Sequence, residues 1–270
     1  MTLVLDKMKE TYNFIFYELA DERTKDMFPS AFFLMILLPS YLYFAKSLGP
    51  RIMKDLKPFK LKTLMLYYNL LQIFMCLCIL PLVVKGGWFN GYSFSCQPVD
   101  YTDNPQTRSM IKAAWLYTAV KIMDLLDTVF FVLRKKDRQI SFLHVFHHFI
   151  MPIGGFIGLK YYPNGHGTLV GFINTIVHVI MYTYYLIAGL GPKYQKYLWW
   201  KKHVTTIQLV QFCILFVHNM VAFCDSTCEY PKWVNFLIIL QSVNFIYMFG
   251  SFYYKSYILP KITTGKLKKQ

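Results

Sequence analysis

The sequence predicts an all-α membrane protein with seven transmembrane helices, and three observations lead to that prediction. Of its 270 residues, 55% are hydrophobic and only 16% are charged, a balance that disfavours a soluble domain. Seven apolar runs of about 20 residues are long enough, or nearly so, to cross ~30 Å of hydrocarbon. Loops rich in Lys and Arg alternate with loops that are poor in them, as in polytopic membrane proteins.

The seven runs define the predicted spans. They lie near residues 28–45, 64–84, 113–133, 141–159, 168–188, 204–224 and 233–254. The chain then divides into an N-terminal segment over 1–27, a seven-span domain over 28–254 and a tail over 255–270. Because residues 1–27 lack the apolar stretch of a cleavable signal, we expect the first span to direct membrane insertion.

The basic residues predict the orientation in the membrane. Loops 46–62, 134–138 and 193–202 and the tail hold six, four, four and five Lys or Arg, against two, one and one in the other loops. The positive-inside rule places the N-terminus in the lumen and the C-terminus in the cytosol. Topology also explains the net charge of +15. Since the charges form short runs and no continuous basic surface, we expect no nucleic-acid partner.

The cysteines give an independent test of this topology. Cys96 lies between the second and third runs and Cys228 between the sixth and seventh, so both are predicted on the non-cytosolic side, where disulfides persist. We predict that they pair. Cys224 could replace either partner, and two free thiols are a further alternative.

The end of the chain carries a candidate sorting signal. Lys266 and Lys268 occupy the fifth and third positions counted back from the end. This pattern resembles the dilysine retrieval tail of endoplasmic reticulum membrane proteins. A solvated basic end is the alternative.

Three histidines, His144, His147 and His148, begin the fourth apolar run. On a helix their side chains fall within an arc of about 100° and face one cavity or one partner helix. A lone histidine on an apolar face is usually structural. Three on one arc favour a functional site, because ionisable groups inside a membrane carry a high energetic cost.

Apart from histidines, the predicted spans hold three ionisable residues that would be charged at neutral pH, all on the third run: Lys121, Asp124 and Asp127. Each costs ~2.5 to 3.5 kcal/mol in a membrane, so they must pair and face inward. Their spacing keeps them within an arc of about 120° and allows an ion pair between Lys121 and Asp124. A purely structural pair is the alternative.

The fifth and sixth runs contribute uncharged polar side chains and one more histidine. The candidates are Asn174, His178, Tyr182 and Tyr185, within an arc of about 80° on the fifth run, and Gln208 and Gln211 on the sixth. Counted from the predicted cytosolic ends, the histidine box and the two acids Asp124 and Asp127 lie at coinciding depths, and all four runs send polar groups into the cytosolic half. We therefore predict a polar chamber, and with it the active site, in the cytosolic half. We expect His218 to be structural, whereas His166 and His203 are uninformative.

Two chemistries use clustered histidines in membranes. In a di-iron oxygenase, neutral imidazoles and carboxylates ligate the metal, but membrane desaturases use about eight histidines and this chain has 7. In nucleophilic acyl transfer, an imidazole takes an acyl group while a second histidine or an amide handles the proton or the oxyanion. A receptor or a transporter would have no use for three imidazoles on one arc.

At these residues the chain resembles the very-long-chain fatty acid elongases, the membrane 3-ketoacyl-CoA synthases. Four segments carry the resemblance: Lys121–Thr128 (KIMDLLDT) with its continuation to Lys136, His144–His148 (HVFHH), Asn174–Tyr185 (NTIVHVIMYTYY) and Thr206–Phe212 (TIQLVQF). Many members of the family have Glu where Asp124 stands. The resemblance implies seven spans, six of them enclosing a substrate tunnel, and residence in the endoplasmic reticulum. It also supports the Cys96–Cys228 disulfide.

The resemblance implies a condensation of a long-chain acyl-CoA with malonyl-CoA, without metal or cofactor. As a mechanistic hypothesis, His147 takes the acyl group, with His178 as the alternative nucleophile or as an orienting partner. The other predicted catalytic residues would stabilise the enolate or orient the imidazoles: His148, Asn174, Lys121, Asp124, Asp127 and His144. The predicted substrate-binding residues are Gln208, Gln211, Tyr182, Tyr185, Arg134, Lys135 and Lys136, the last three through attraction of CoA phosphates.

Chain length and oligomeric state are not encoded in a recognisable pattern. The tunnel's closed end depends on side-chain bulk from several helices, which periodicity does not reveal. A homodimer and contacts with the other enzymes of the elongation cycle are options that the sequence leaves open. We expect membrane lipid to surround the spans.

Overall fold

The computed structural model describes residues 2 to 259, which form helices joined by loops and contain no strand. The predicted all-α class is therefore confirmed for this part of the chain. Its ten α-helices are α1 (Thr2–Asn13), α2 (Ala31–Tyr43), α3 (Gly49–Met53), α4 (Lys62–Lys85), α5 (Pro105–Met123), α6 (Leu125–Leu133), α7 (Phe142–Tyr161), α8 (Thr168–Leu190), α9 (Lys201–Cys224) and α10 (Lys232–Tyr253). The predicted retrieval signal, Lys266 and Lys268, lies outside the described residues.

Six helical stretches between residues 2 and 259 are long and apolar enough to cross a membrane. They are Ala31–Met53, Lys62–Lys85, Phe142–Tyr161, Thr168–Leu190, Lys201–Cys224 and Lys232–Ile258. Each coincides with a predicted span, so the protein is a multi-pass membrane protein. The seventh span, the tunnel and the three-part division of the chain stay predictions.

The region predicted as the third span consists of two helices, α5 and α6. Helix α5 begins at Pro105, earlier than expected, because Asn104 caps it: the Asn104 side chain accepts a hydrogen bond from the Thr107 amide and the Thr107 hydroxyl accepts one from the Asn104 amide. It ends at Met123, and Asp124 separates it from α6. The interruption falls among the buried charges of this region.

The first span is longer than predicted. A π-helical turn over Phe44–Leu48 joins α2 to α3, so the helical stretch continues to Met53. The helix thus extends beyond the apolar run near 28–45, and Lys46 and Arg51 lie on it. Both side chains are exposed, which fits long cationic side chains extending from the end of a membrane helix into water.

Lys160 directly follows the fourth predicted run (141–159), in one of the loops poor in basic residues, but the structure places it in α7 and only 3% of it is exposed. Its ammonium group donates hydrogen bonds to the backbone carbonyls of Thr24 and Lys25 at 2.8 Å and of Met27 at 2.5 Å. All three donors of the ammonium are thereby used. Lys160 thus holds the segment before α2 against the end of α7.

The described chain divides into two compact units. The first comprises the residues up to Leu61, Pro81–Gly91 and Val99–Thr168; the second comprises Lys62–Leu80, Tyr92–Pro98 and the residues from Leu169 on. In the first unit, α2, α6 and α7 contribute to one apolar core that includes Leu38, Leu125 and Val145. This core fixes the first turns of α6 and α7 in place.

Helices α5 and α7 of the first unit pack closely at Gly155. The Thr118 hydroxyl donates to the Gly155 carbonyl at 3.0 Å, and a Cβ added to Gly155 would lie 3.1 Å from the Thr118 hydroxyl oxygen. Only glycine therefore permits this approach without a shift of the neighbouring threonine.

In the second unit, α9 and α10 pair through aromatic side chains, with ring centroids of Phe212 4.9 Å from Phe245 and 5.2 Å from Phe249. The Lys62 ammonium group at the start of α4 donates to the Leu190 carbonyl at the end of α8, at 3.1 Å. The second unit thus contains α8, α9, α10 and most of α4.

The predicted disulfide between Cys96 and Cys228 is confirmed. The two Cα atoms are 5.6 Å apart and the bond joins residues separated by 132 positions. Cys224, the alternative partner, is free and exposed.

We expect Cys228→Ser to lower the free energy of unfolding by about 2–5 kcal/mol, because the bond constrains a long loop in the unfolded chain. Thermal unfolding in detergent measures the change, and mass spectrometry of the alkylated protein reports the thiols. Cys224→Ser is the matched control and should leave stability and disulfide intact. A disulfide that persists in Cys228→Ser would contradict the assignment.

Candidate active site

The three imidazoles of the histidine box form a cluster in the first turns of α7. The helix begins at Phe142 because the Ser141 hydroxyl accepts a hydrogen bond from the His144 amide at 3.2 Å. The ring centroids of His144 and His148 are 4.1 Å apart, and those of His147 and His148 are 5.4 Å apart. All three residues are half-buried, so the grouped rings remain partly exposed.

A chain of hydrogen bonds fixes the first of these rings. His144 Nε2 lies 2.8 Å from the Thr128 hydroxyl oxygen, which lies 2.8 Å from the Tyr41 hydroxyl oxygen. Thr128 is fully buried and Tyr41 is 6% exposed. Side chains from α2 and α6 therefore orient the imidazole at the start of α7, and one nitrogen of His144 is engaged.

The predicted ion pair between Lys121 and Asp124 is present at the junction of α5 and α6. The ammonium nitrogen lies 2.9 Å from Asp124 Oδ2, and the two side chains are 1% and 3% exposed. The same ammonium lies 5.1 Å from the ring centroid of Tyr117, within the range of a cation–π interaction. Burial at this depth makes the pairing a requirement, because an isolated charge would be too costly.

The remaining candidates of the first unit lie on or just after α6. Asp127 is half-buried in the first turn of the helix. Arg134 ends the helix, and Lys135 follows it with a φ of 52°. The Lys135 ammonium donates to the Lys54 carbonyl at 3.1 Å, whereas Lys136 is exposed.

The second unit places its candidates on one side of α8 and on α9. Asn174, His178 and Tyr182 are 4%, 5% and 0% exposed, and the rings of His178 and Tyr182 have centroids 5.6 Å apart. The Asn174 amide donates to Gln211 Oε1 at 3.5 Å. Gln211 is itself 3% exposed, so these polar groups are held in a dry environment.

The aromatic end of this cluster reaches α4. The Tyr182 hydroxyl lies 3.5 Å from that of Tyr68, and the Gln72 amide donates to the Tyr68 hydroxyl at 2.8 Å. Tyr185 is 42% exposed, with its ring centroid 5.9 Å from that of Tyr182. Gln208, which is half-buried, donates to the Met181 sulfur at 3.7 Å.

Of the fifteen candidates, eleven are grouped here into two clusters, one in each unit, and Asp127, Arg134, Lys135 and Lys136 belong to neither. The first, which we call the histidine cluster, contains Lys121, Asp124, His144, His147 and His148. The second, which we call the α8 cluster, contains Asn174, His178, Tyr182, Tyr185, Gln208 and Gln211. That both line one chamber stays a prediction.

Sequence analysis missed four residues that support these clusters: Tyr41, Thr128, Tyr68 and Gln72. Thr128 directly follows Asp127, and Tyr68 and Gln72 are four residues apart in an apolar run. A search for uncharged polar residues at helical spacing would have found this pair. Tyr41 carries no such signal, because tyrosine is common near the ends of membrane helices.

Neither a group of metal-binding side chains nor any of the three remaining histidines adds a candidate site residue in the described part of the chain. Within residues 2 to 259, no three His, Cys, Asp or Glu side chains are placed to hold a metal ion together. The expectation that the protein needs no metal stays a prediction. His166 and His218 are buried, and the exposed His203 lies against Trp199 with ring centroids 6.0 Å apart.

The fold and the histidine cluster define the class: a multi-pass helical membrane protein whose first unit holds three grouped imidazoles and a buried ion pair. Residues 27–264 match the model of the ELO: GNS1/SUR4 family. The chain belongs to this family, which confirms the resemblance.

Three relatives illustrate the similarity. The chain is 46% identical over 232 residues to very long chain fatty acid elongase 7 of Rattus norvegicus, covering 84% of this chain and 82% of the relative. It is 43% identical over 227 residues to very long chain fatty acid elongase 1 of Homo sapiens, covering 83% and 81%. It is 40% identical over 241 residues to very long chain fatty acid elongase 7 of Drosophila melanogaster, covering 88% and 73%.

We expect Asp124→Asn to destabilise the protein by about 3–5 kcal/mol, because it leaves the buried Lys121 ammonium without its carboxylate. Thermal unfolding in detergent measures the loss. The double variant Lys121→Met/Asp124→Leu removes both charges and should recover most of the stability.

Asp103→Asn is the matched control for this prediction. Asp103 pairs with Arg108 at 2.6 Å, but the side chains are 58% and 62% exposed, so we expect a far smaller loss of stability than in Asp124→Asn, because water screens an exposed pair. Equal effects of Asp103→Asn and Asp124→Asn would show that the buried pair has no special role.

Proposed function

We propose that the protein is a fatty acid elongase that condenses a long-chain acyl-CoA with malonyl-CoA. The products are carbon dioxide, CoA and a 3-ketoacyl-CoA two carbons longer. Family membership and the names of the relatives support the substrate class. The observation that carries the chemistry is the histidine cluster, in which three imidazoles are grouped at the start of one helix.

In the proposed first step, an imidazole nitrogen of His147 attacks the thioester carbonyl carbon. The carbon–sulfur bond breaks, CoA leaves as the thiolate, and the proton lost by the imidazole passes to a neighbouring base or to the thiolate. His144 is less suited to this attack, because its Nε2 is engaged with Thr128. We therefore assign His144 a positioning role and His147 the acyl group, with His178 as the alternative nucleophile.

In the proposed second step, malonyl-CoA loses its free carboxyl group as carbon dioxide. The electron pair of the broken bond forms an enolate, whose carbon attacks the acyl carbonyl and displaces the imidazole. His148, Asn174 and Lys121 are the groups assigned to the enolate's negative charge. Asp124 already accepts from Lys121, so we assign that carboxylate to fixing the ammonium, and Asp127 to orienting an imidazole.

The remaining roles concern the binding of CoA and of the acyl chain. Arg134, Lys135 and Lys136 form a run of cations suited to phosphate groups. Tyr182, Tyr185 and Gln208 are assigned to contact with substrate, and Gln211 to holding Asn174. The reaction as written needs no metal or cofactor.

The cellular setting belongs to the same proposal. We place the protein in the endoplasmic reticulum membrane, with the N-terminus in the lumen and the C-terminus in the cytosol. The Cys96–Cys228 disulfide supports a lumenal position for its two loops. The enzymes that reduce and dehydrate a 3-ketoacyl-CoA are the expected functional partners.

We expect His147→Ala to lower condensation at least about a hundredfold, because the acyl group loses its acceptor. The assay combines purified protein, a saturated long-chain acyl-CoA and labelled malonyl-CoA, and determines the product by mass. With acyl-CoA alone, intact-protein mass spectrometry should detect one acyl group on the wild type and none on the variant.

His203→Ala is the matched control, since His203 is exposed and lies outside both clusters. It should retain activity and the acyl adduct. An adduct that survives His147→Ala but is lost in His178→Ala would transfer the nucleophile to the α8 cluster. Bound iron in a folded preparation that yields no condensation product would overturn the proposal in favour of an oxygenase.

We expect Thr128→Val to reduce kcat about 10- to 100-fold with little change in the KM for acyl-CoA, because it removes the hydroxyl between Tyr41 and His144. Thr183→Val is the control: its hydroxyl donates to the Val179 carbonyl of its own helix. Steady-state kinetics with the same substrates measure both. A rise in KM at unchanged kcat would argue that Thr128 binds substrate instead.

A further inference from the structure

Four exposed cations follow one another at the end of the first span, in the first unit. They are Arg51, Lys54, Lys57 and Lys60, and the ten residues from 51 to 60 contain one acidic residue, Asp55. We call residues 51–60 the basic segment. It begins on α3 and continues beyond Met53 without helical structure.

Large apolar side chains alternate with these cations. Ile52 is 52% exposed, Leu56 45% and Phe59 49%. Their spacing in the chain places each one between two basic residues. Exposed apolar side chains are common on a protein surface one at a time, but three among four cations within ten residues form a mixed surface of the kind found at membrane interfaces.

The basic segment has a fixed path. The Phe59 amide donates to the Leu133 carbonyl at 3.0 Å, the Lys135 ammonium donates to the Lys54 carbonyl at 3.1 Å, and Met53 is 3% exposed. These contacts use backbone groups and one buried side chain. The apolar and cationic side chains of the segment therefore stay outside although its backbone is held.

The cations of the basic segment have no counter-charge in the described part of the chain. None of the four forms an ion pair there, whereas Arg23 and Arg108 of the same unit pair with Asp21 and Asp103. Apart from Asp55 the segment carries no negative charge of its own, so its cations are open to an anionic partner from outside the unit. The apolar side chains between the cations require that the same partner also offer hydrocarbon.

We propose that the basic segment binds anionic phospholipid, with its cations on the phosphate-bearing headgroups and Ile52, Leu56 and Phe59 in the adjoining acyl region. Its position supports this occupant, because it directly continues a membrane-crossing stretch that ends at Met53. An acidic peptide or the phosphates of CoA would neutralise the cations, but neither would cover the apolar side chains. This site is separate from the proposed catalytic roles, and its test needs no substrate.

The test measures lipid binding by the full-length protein purified in neutral detergent. Phosphatidylserine and phosphatidylcholine are titrated separately, and native mass spectrometry counts the bound lipids while thermal unfolding reports the stabilisation. We expect tighter binding of phosphatidylserine. In Lys54→Gln/Lys57→Gln/Lys60→Gln, each substitution should weaken phosphatidylserine binding about fivefold, because each lysine near an anionic surface contributes separately.

Lys7→Gln/Lys9→Gln/Lys112→Gln is the matched control, since it removes the same charge from exposed lysines elsewhere in the first unit. It should bind phosphatidylserine like the wild type. Leu56→Ser/Phe59→Ser keeps every charge and should also weaken binding of the lipid, while leaving binding of soluble glycerophosphoserine unchanged.

Two results would overturn the proposal. Equal phosphatidylserine affinity in the lysine variant and its control would show that these cations do not select the lipid. Full displacement of phosphatidylserine by CoA from the wild type, with no effect of Leu56→Ser/Phe59→Ser, would assign the segment to a soluble phosphate ligand. Both comparisons use binding alone, so a protein without condensing activity would still decide them.

Discussion

The buried ion pair between Lys121 and Asp124 is the constraint around which the first unit is arranged. Two charges at 1% and 3% exposure persist in a membrane protein only if each compensates the other. Asp124 meets this demand at a point where α5 ends and α6 begins, with its amide still donating to the Val120 carbonyl at 2.9 Å. The Lys121 ammonium is thereby fixed within the first unit, which also contains His144, His147 and His148.

Hydrogen bonds between uncharged side chains extend this order toward the reactive groups. The chain from Tyr41 through Thr128 to His144 fixes a ring by two contacts of 2.8 Å. In the α8 cluster, the Tyr68 hydroxyl contacts the Tyr182 hydroxyl at 3.5 Å. Both sets stand on helices, and side chains fixed on helices keep a more precise geometry than side chains on loops.

Much of this arrangement follows from the sequence, and the exceptions have physical reasons. Apolar length predicts the membrane-crossing helices because hydrocarbon thickness sets it. The first basic residue, Lys46, does not mark the end of the first membrane-crossing helix, since a long charged side chain reaches water from inside a helix. The histidine cluster was predictable because ionisable side chains carry a high free-energy cost inside a membrane, so their presence in an apolar run indicates a site. Tyr41 and Thr128 were not, because a hydroxyl that bonds to a partner on another helix leaves no periodic signal along its own.

The basic segment and the cations after α6 share one piece of structure, which gives the proposed lipid site a consequence for substrate binding. The contacts from Phe59 to Leu133 and from Lys135 to Lys54 join the two stretches. These contacts of 3.0 and 3.1 Å hold the two stretches side by side, and the Debye length at physiological salt is ~8 Å. Anionic lipid on the basic segment would then weaken the positive potential at Arg134, to which the proposal assigns the binding of CoA phosphates. Membrane composition and substrate affinity are then linked through one electrostatic field, without any change in the position of the imidazoles.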